Sequence, residues 1–497
     1  MDSMVTMAQR APLTTPRPSR DWLAAAVLAL VVLATRGIWF GDPVAEFDEQ
    51  LYSLVGWRMT HGDLPYVDLW DRKPFGLFAI FAAAHWLFGP EPVAYQALAA
   101  VFALAGAMLV YGLARDLVDR ATATVAGALY VMLMALYGSQ SGQSEIFFMP
   151  LMLAMLWLVR DWRRPDATRR ALWAMALGGL ALQVKYTVLP QCLFLGAYAL
   201  YGRWRSGASV AGLLKLSALF ALLGLLPTVA VAAFYGAIGQ FDAFWFANFV
   251  SFFDRASSEA GRLHPKLLVG AIPLAIPALV GLYAAFRLNP PRDWRIYGLF
   301  AGWALSVAAS VLLPATTYLY YLAALAPAAV LLALPLLDRT ARARWVPAIL
   351  LAGGTLWLLN LSARYEHSLS ERRTEQRLSD ALAPYVAADR DCLYVFDGPA
   401  VLYRTTQTCL PTKYIYPDHL NNALERGSLG VSQPAEIRRI LAARPGAIVT
   451  ASKPVTEQCG ECLDLVYDKV AAEYRPLISA SLHGRIITGW VRKDLRP

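Results

Sequence analysis

Phe47-Asp48-Glu49-Gln50-Leu51-Tyr52 opens, and Asp71-Arg72-Lys73-Pro74 closes, a polar stretch lying between apolar runs at residues 22–40 and 93–113. Such a concentration of acids and bases at the boundary of an apolar segment decides how the chain is read. Ionisable groups beside a bilayer are costly unless they are solvated, paired or used. A carboxylate pair at one end suits proton removal, and a basic motif at the other suits phosphate binding.

The rest of the chain supports a membrane setting. It has 497 residues, 57% of them hydrophobic and only 16% charged, with a mean hydropathy of +0.42. Those values exclude an ordinary soluble enzyme and predict a polytopic α-helical membrane protein. The formal charge of +9 does not point to nucleic acid, because the basic residues fall between apolar runs rather than on one face. Residues 1–21 are polar and Pro-rich and read as a cytoplasmic tail. The apolar run that follows is longer than the roughly 7–15 residues of a secretory signal. It therefore reads as a retained first span, with Arg36 at its outer end expected to snorkel to the interface.

Apolar stretches of roughly 17–25 residues are span candidates. They lie at about 22–40, 93–113, 121–138, 145–160, 171–184, 187–202, 211–235, 266–286, 296–313, 318–337 and 345–361. A shorter piece at 75–89 begins after Pro74 and reads as interfacial or re-entrant. Charge tests that choice. The connections expected to be cytoplasmic carry Arg115 and Arg120, then Arg160, Arg163, Arg164, Arg169 and Arg170, and later Arg203, Arg205, Arg287, Arg292, Arg295, Arg339, Arg342 and Arg344. The connections at 138–144 and 314–317 carry no basic residue. Counting 75–89 as a span would reverse this alternation. About eleven spans at 22–361 follow, with residues 41–92 as a first outer loop.

From residue 362 the composition changes. Residues 365–377 are highly charged and predict an exposed helix or linker. Strand-like runs (Leu393–Phe396, Ala447–Thr450, Leu477–Ser481, Arg485–Trp490) then alternate with helix-like ones (Pro434–Ala443, Leu463–Glu473). Residues 362–497 therefore read as a small extracytoplasmic α/β domain. Four of the five cysteines lie in it (Cys392, Cys409, Cys459 and Cys462). Four cysteines in an oxidising compartment permit three pairings. Cys392–Cys409 is the expected bridge, since Cys459 and Cys462 can bridge locally or stay as thiols. A metal knuckle at Cys459-Gly-Glu-Cys462 lacks a second ligand pair.

The combination of Asp48-Glu49, Gly62-Asp63-Leu64-Pro65-Tyr66 and Lys73-Pro74 resembles the first outer loop of the polyprenyl-phosphate-sugar glycosyltransferases. These are membrane enzymes of the GT-C fold, with protein O-mannosyltransferases and lipid A aminoarabinose and galacturonic acid transferases among the relatives. The resemblance runs to about residue 205 and then fades, apart from a Tyr-rich start to a late span. It implies a GT-C-like membrane domain that moves a sugar from a polyprenyl phosphate to a glycan, lipid or protein acceptor. It also implies that Asp48 is the essential acid, with Glu49 beside it, and that Lys73 contacts the lipid phosphate. Arg72 departs from relatives that place an acid before this lysine, which weakens the case for a metal site there.

Each candidate has a chemical reading and a plainer one. Asp48 within reach of an acceptor hydroxyl could take its proton, or it could favour a helix N-terminus. Lys73 and Arg72 could stabilise a leaving phosphate, or anchor at the interface. Glu145 matches an acidic position of the second outer loop and could orient sugar, assist the base or hold a metal. It also opens a span where a cap would stand. Lys185 would cost about 2.5–3.5 kcal/mol if unpaired at membrane depth, so it implies an anionic partner or a wet cavity and reads as a second phosphate contact. Tyr52, Gln143, His264, Tyr320 and Tyr321 complete the candidate substrate-binding set, with an aromatic belt as the alternative for the tyrosines.

No Gly-rich nucleotide loop is present, in keeping with a lipid-borne donor. No cofactor is implied by the residues themselves, and a divalent metal is left open. The expected setting is a bacterial inner membrane, with lipids around the spans, the N-terminus cytoplasmic and the C-terminal domain periplasmic. A lipid-linked sugar flippase would place its ionisable groups near the midplane on interrupted helices, whereas here the acids lie mainly in outer loops. A polysaccharide ligase with a diphosphate-linked donor is the other alternative.

Overall fold

The structure, a computed structural model, describes residues 21–256, 265–314, 316–341 and 344–496. The apolar stretches fold as helices, beginning with α1 (Asp21–Arg36). Two helices build the first loop, α2 (Phe47–Met59) and α3 (Phe75–Phe88). The chain then runs through α4 (Pro92–Ala114), α5 (Arg120–Leu136), α6 (Ser144–Val159), α7 (Ala167–Leu182), α8 (Leu189–Arg205) and α9 (Val210–Ala237). Short turns α10 (Phe241–Trp245) and α11 (Ser251–Asp254) precede α12 (Pro265–Arg287) and α13 (Trp294–Leu312). The stretch expected as one span at 318–337 is broken into a 3-10 turn (Leu319–Leu325), α14 (Ala326–Leu332) and α15 (Leu334–Leu337). Pro327 and Pro335 each open the next piece, as expected for a residue without an N–H to donate. The last apolar helix is α16 (Val346–Leu359).

Among the described residues, six helical segments are long and apolar enough to cross a membrane, and four shorter apolar ones accompany them. The chain is a multi-pass integral membrane protein. Helix α9 shows why: it is apolar all round, yet among its side chains only Phe220 and Tyr235 are buried. A helix of that kind needs lipid on most of its surface.

The two ends of the bundle differ. At one end, ion pairs join Arg120 to Asp21 at 3.1 Å, Arg160 to Asp116 at 2.7 Å and Arg295 to Asp161 at 3.0 Å, and Arg339 pairs with Asp119. The Arg-rich connections therefore gather on one side. At the other end the first loop meets the C-terminal residues. Helix α3 enters and leaves on that side: the loop before it is bonded to the C-terminal chain through Trp70 N–H and the Lys413 carbonyl (2.9 Å), and Arg404 donates to the Pro90 carbonyl just beyond it.

Arg36 does not snorkel. It is buried and donates to the Ser139 carbonyl at 2.6 Å, tying the end of α1 to the turn between α5 and α6.

Beyond α16, helix α17 (Leu361–Leu382) carries the charged run. It is not simply exposed, since Glu371 and Glu375 are buried. A mixed four-stranded sheet follows, built from β1 (Leu393–Val395), β2 (Ala447–Ala451), β3 (Tyr474–Leu482) and β4 (Arg485–Arg492) in the order β1-β2-β4-β3. Only β1 and β2 are parallel. Short helices α18 (Leu402–Thr405) and α19 (Pro417–Asn421), and the longer α20 (Gln433–Ala442) and α21 (Gly460–Glu473), connect them. Cys392 is bonded to Cys409 and Cys459 to Cys462, leaving Cys192 as the free cysteine.

Candidate active site

Asp48 sits in the first turn of α2, where the helix dipole favours a negative side chain. Three phenols donate to its carboxylate: Tyr52 and Tyr320 to Oδ2, each at 3.1 Å, and Tyr416 to Oδ1 at 3.0 Å. Tyr52 is one helical turn along α2, Tyr320 belongs to the broken span, and Tyr416 comes from the C-terminal unit. Lys73 Nζ stands 4.0 Å from Asp48 Oδ2 and over the Tyr52 ring. Burial works against the charge on Lys73, but Asp48 and Asp71 outweigh it and hold the ammonium above its ordinary pKa.

Asp48, Asp71, Lys73, Tyr320 and Tyr416 line a cavity of about 230 Å³ between the bundle and the C-terminal unit. Asp48, Arg72, Lys73, Lys185, Tyr320 and Tyr321 border it from the bundle side, and Tyr416, Asp418, His419 and Glu425 from the C-terminal side. A second, larger groove near Trp57, Arg58, Arg404 and Lys413 holds none of the candidate residues.

Asp71 braces the loop. Its Oδ1 accepts the backbone N–H of Lys73 at 2.7 Å, and its Oδ2 lies 3.2 Å from His419 Nε2. Burial disfavours its charge, yet Lys73 and His419 prevail and hold it far below the usual carboxylate range. Arg72 is fully engaged. It forms a bidentate pair with Glu425, with one arm at 2.9 Å, and also donates to Ser251 Oγ (3.3 Å) and Ser428 Oγ (3.2 Å). Arg255 pairs with the same carboxylate at 2.9 Å. The two arginines overcome burial and bring Glu425 down to about 2.

Glu145 and Lys185 form a buried ion pair, and Lys185 Nζ lies 3.9 Å from the centre of the Tyr321 ring. The anionic partner that Lys185 requires is thus Glu145. Close packing sets this turn against the first loop: a Cβ on Gly76 would lie 2.6 Å from Gln183 Cβ. The Leu77 N–H donates to the Gln183 carbonyl at 3.0 Å across that contact.

Four candidates do not line the cavity: Tyr52 and Glu145 stand behind their partners Asp48 and Lys185, and Glu49 and Gln143 are engaged elsewhere. Glu49 points the other way, accepting from Gly142 N at 2.5 Å and Tyr95 Oη at 3.4 Å, and burial pushes its carboxyl up to about 8. Gln143 caps α6, with its side chain accepting from Ser144 N at 3.2 Å. It is Gln143, not Glu145, that makes the cap. His264 lies outside the described residues.

The C-terminal contributors were not singled out from sequence. The signal was Tyr414-Ile415-Tyr416-Pro417-Asp418-His419, a cluster of aromatic and titratable side chains in a connecting segment. Asp418 is held up at about 6 by burial and by neighbouring Glu425. Asp397, also at the cavity, is paired with Arg485 at 2.8 Å. The cavity acids are thus engaged by hydroxyls or cations and do not converge as a metal-ligand set. Among the described residues, the group of His and acidic atoms that does converge is His367, Glu371 and His483, on α17 and the β3–β4 turn.

Residues 72–230 match the family described as dolichyl-phosphate-mannose-protein mannosyltransferase. The fold is similar to that of ArnT from Cupriavidus metallidurans bound to undecaprenyl phosphate, with a TM-score of 0.67 and 15% identity, over 95% of this chain and 98% of that one. The same protein in its apo state gives a TM-score of 0.63 at 15% identity and the same coverage. No curated protein matches the chain by sequence.

Proposed function

We propose that this chain, whose residues 72–230 match the dolichyl-phosphate-mannose-protein mannosyltransferase family, is a membrane glycosyltransferase that takes a sugar from a lipid phosphate and inverts the anomeric carbon as it transfers it to an acceptor activated by Asp48. The carrying observation is the placement of Asp48 and Lys73 4.0 Å apart at one cavity. A carboxylate there can take the proton of an attacking hydroxyl, while an ammonium beside it stabilises the phosphate that leaves.

Three of Asp48's acceptor positions are filled by tyrosines, and an acceptor hydroxyl takes the remaining one or displaces a phenol. The tyrosines orient the base, as Asp71 orients the lysine. Lys185 borders the same cavity and adds positive potential, with Glu145 holding it in place. The ArnT structure of like fold carries undecaprenyl phosphate, which supports a polyprenyl phosphate as the donor's lipid part. The acceptor is a glycan, lipid or protein group reaching the cavity beneath the C-terminal unit. In this reading eleven segments cross the bacterial inner membrane, residues 362–497 form a periplasmic domain, and transfer occurs on the outer face.

Purified protein in detergent, incubated with a panel of polyprenyl-linked sugars and membrane extracts, should yield a glycosylated product identifiable by mass spectrometry. Asp48→Asn should lower turnover about 10²–10⁴-fold with much less effect on donor binding. Near-normal transfer by a folded Asp48→Asn protein would remove Asp48 as the base.

A further inference from the structure

His367 and Glu371 are one helical turn apart on α17 and therefore share a face. Opposite them stands His483, at the tip of the hairpin joining β3 to β4. Leu482 pairs with Arg485, so the turn is His483-Gly484, and both residues have positive φ, 50° and 70°. Two-residue turns of this kind prefer Asn, Asp or Gly at the first position. A histidine held there is a conformational choice that its side chain can justify.

The backbone N–H of His483 reaches both oxygens of Glu371, at 2.9 and 3.1 Å, which fixes the hairpin tip on the helix. The two imidazoles flank the same carboxylate, with Nδ1 of His367 at 3.5 Å and Nδ1 of His483 at 3.8 Å from its oxygens. All three ligand atoms lie within 4.8 Å of one another. In a tetrahedral zinc site with bonds of about 2.0–2.1 Å, neighbouring ligand atoms are about 3.3 Å apart. The two His–Glu separations exceed that by a few tenths of an ångström, and the third pair, within 4.8 Å, would close by rotation of the exposed His367 side chain. Asp42 is nearby but already accepts from Ser368 and from Val44 N.

We propose that His367, Glu371 and His483 bind one divalent transition-metal cation, zinc foremost, with water in the fourth position on the exposed His367 side. Two imidazoles and one carboxylate form a borderline donor set that suits zinc over magnesium or calcium. The bound ion fastens the C-terminal hairpin to α17. The His483 ring also lies 5.0 Å from the ring of Phe47, tilted by 43°, and Phe47 is the residue before Asp48, so the fastening lies directly behind the start of α2. The site is separate from the cavity and does not rest on the reading of Asp48.

The test uses the full chain in detergent, freed of any affinity tag and stripped with a chelator. Titration with zinc against a competing indicator should show one equivalent bound, and zinc should raise the thermal midpoint. His367→Ala removes an exposed ligand, while Glu371→Gln keeps an acceptor for the hairpin N–H. Each should weaken zinc binding at least tenfold and abolish the thermal shift. Failure of the parent protein to bind an equivalent, or equal binding by parent and variants, overturns the site.

Discussion

Arg72 and Glu425 form a bidentate ion pair that binds the first loop to the C-terminal unit, with both side chains largely buried. The guanidinium next to the cavity lysine is thereby a strut, and Lys73 is the cation left facing Asp48. Arg72→Lys cannot reproduce the planar fork. It should lower thermal stability, and a double-mutant cycle with Glu425→Gln should give a coupling above about 0.5 kcal/mol. Strict additivity of the two changes would show that the strut carries no load.

Lys185 and Glu145 should behave as a unit. Lys185→Ala leaves a buried carboxylate without its cation, at a cost of about 3–5 kcal/mol. Adding Glu145→Gln should recover most of that stability without restoring transfer. Thermal unfolding in detergent, read beside activity, separates the two effects. Full stability of Lys185→Ala alone would mean that water replaces the ammonium.

Two C-terminal acids predict opposite responses to pH. Asp418 is raised from 3.8 to about 6, so between those values the folded chain keeps a proton that the unfolded chain has lost. Stability contributed by this group therefore declines as pH rises through that window. Asp418→Asn should remove the decline and gain relative stability above about pH 6. Glu425 is lowered from 4.5 to about 2, so its contribution is complete above 4.5 and disappears as pH falls through that interval. Parallel stability curves for Asp418→Asn and its parent would refute the assignment to Asp418.

Thiol labelling of the unfolded, unreduced protein should modify one cysteine, Cys192, since the other four are bridged. Labelling of all five would exclude both bridges. After reduction, five should react.

A reporter active only in the cytoplasm, fused after Pro497, should be silent if eleven segments cross the membrane from a cytoplasmic start. Strong activity would put the crossing count out by one.

The sequence was most legible where one physical requirement dominated. Apolar runs had to become helices because a bilayer leaves backbone groups no other partner. The strand-like runs near Leu393, Ala447, Leu477 and Arg485 likewise fall in β1 to β4. Asp48 and Lys73 stood out because they belong to a cluster of charges set between long apolar runs. Residues whose roles depend on distant partners were not legible. Nothing local to Arg72 announces Glu425, and nothing in Asp48-Glu49 says that helix geometry turns one acid to the cavity and the other to Gly142. Tyr416 was hidden for the same reason, because its hydrogen bond to Asp48 spans two units read separately. Arg36 misled because its carbonyl partner, Ser139, belongs to another turn.

The shared ownership of Asp48's hydrogen bonds limits how this protein can be recombined. A chimera that exchanges residues 362–497 for those of a relative would take Tyr416 and Glu425 away from Asp48 and Arg72. It would break the bond between Trp70 and Lys413 only if the backbone path changed, since that contact uses main-chain atoms alone. Domain swapping by cutting after α16 should therefore give folded but poorly active hybrids. Grafts that carry residues 48–73 with the donor's C-terminal unit should keep the base oriented. The heritable module is the loop together with its roof, although residues 74–361 separate them in the gene.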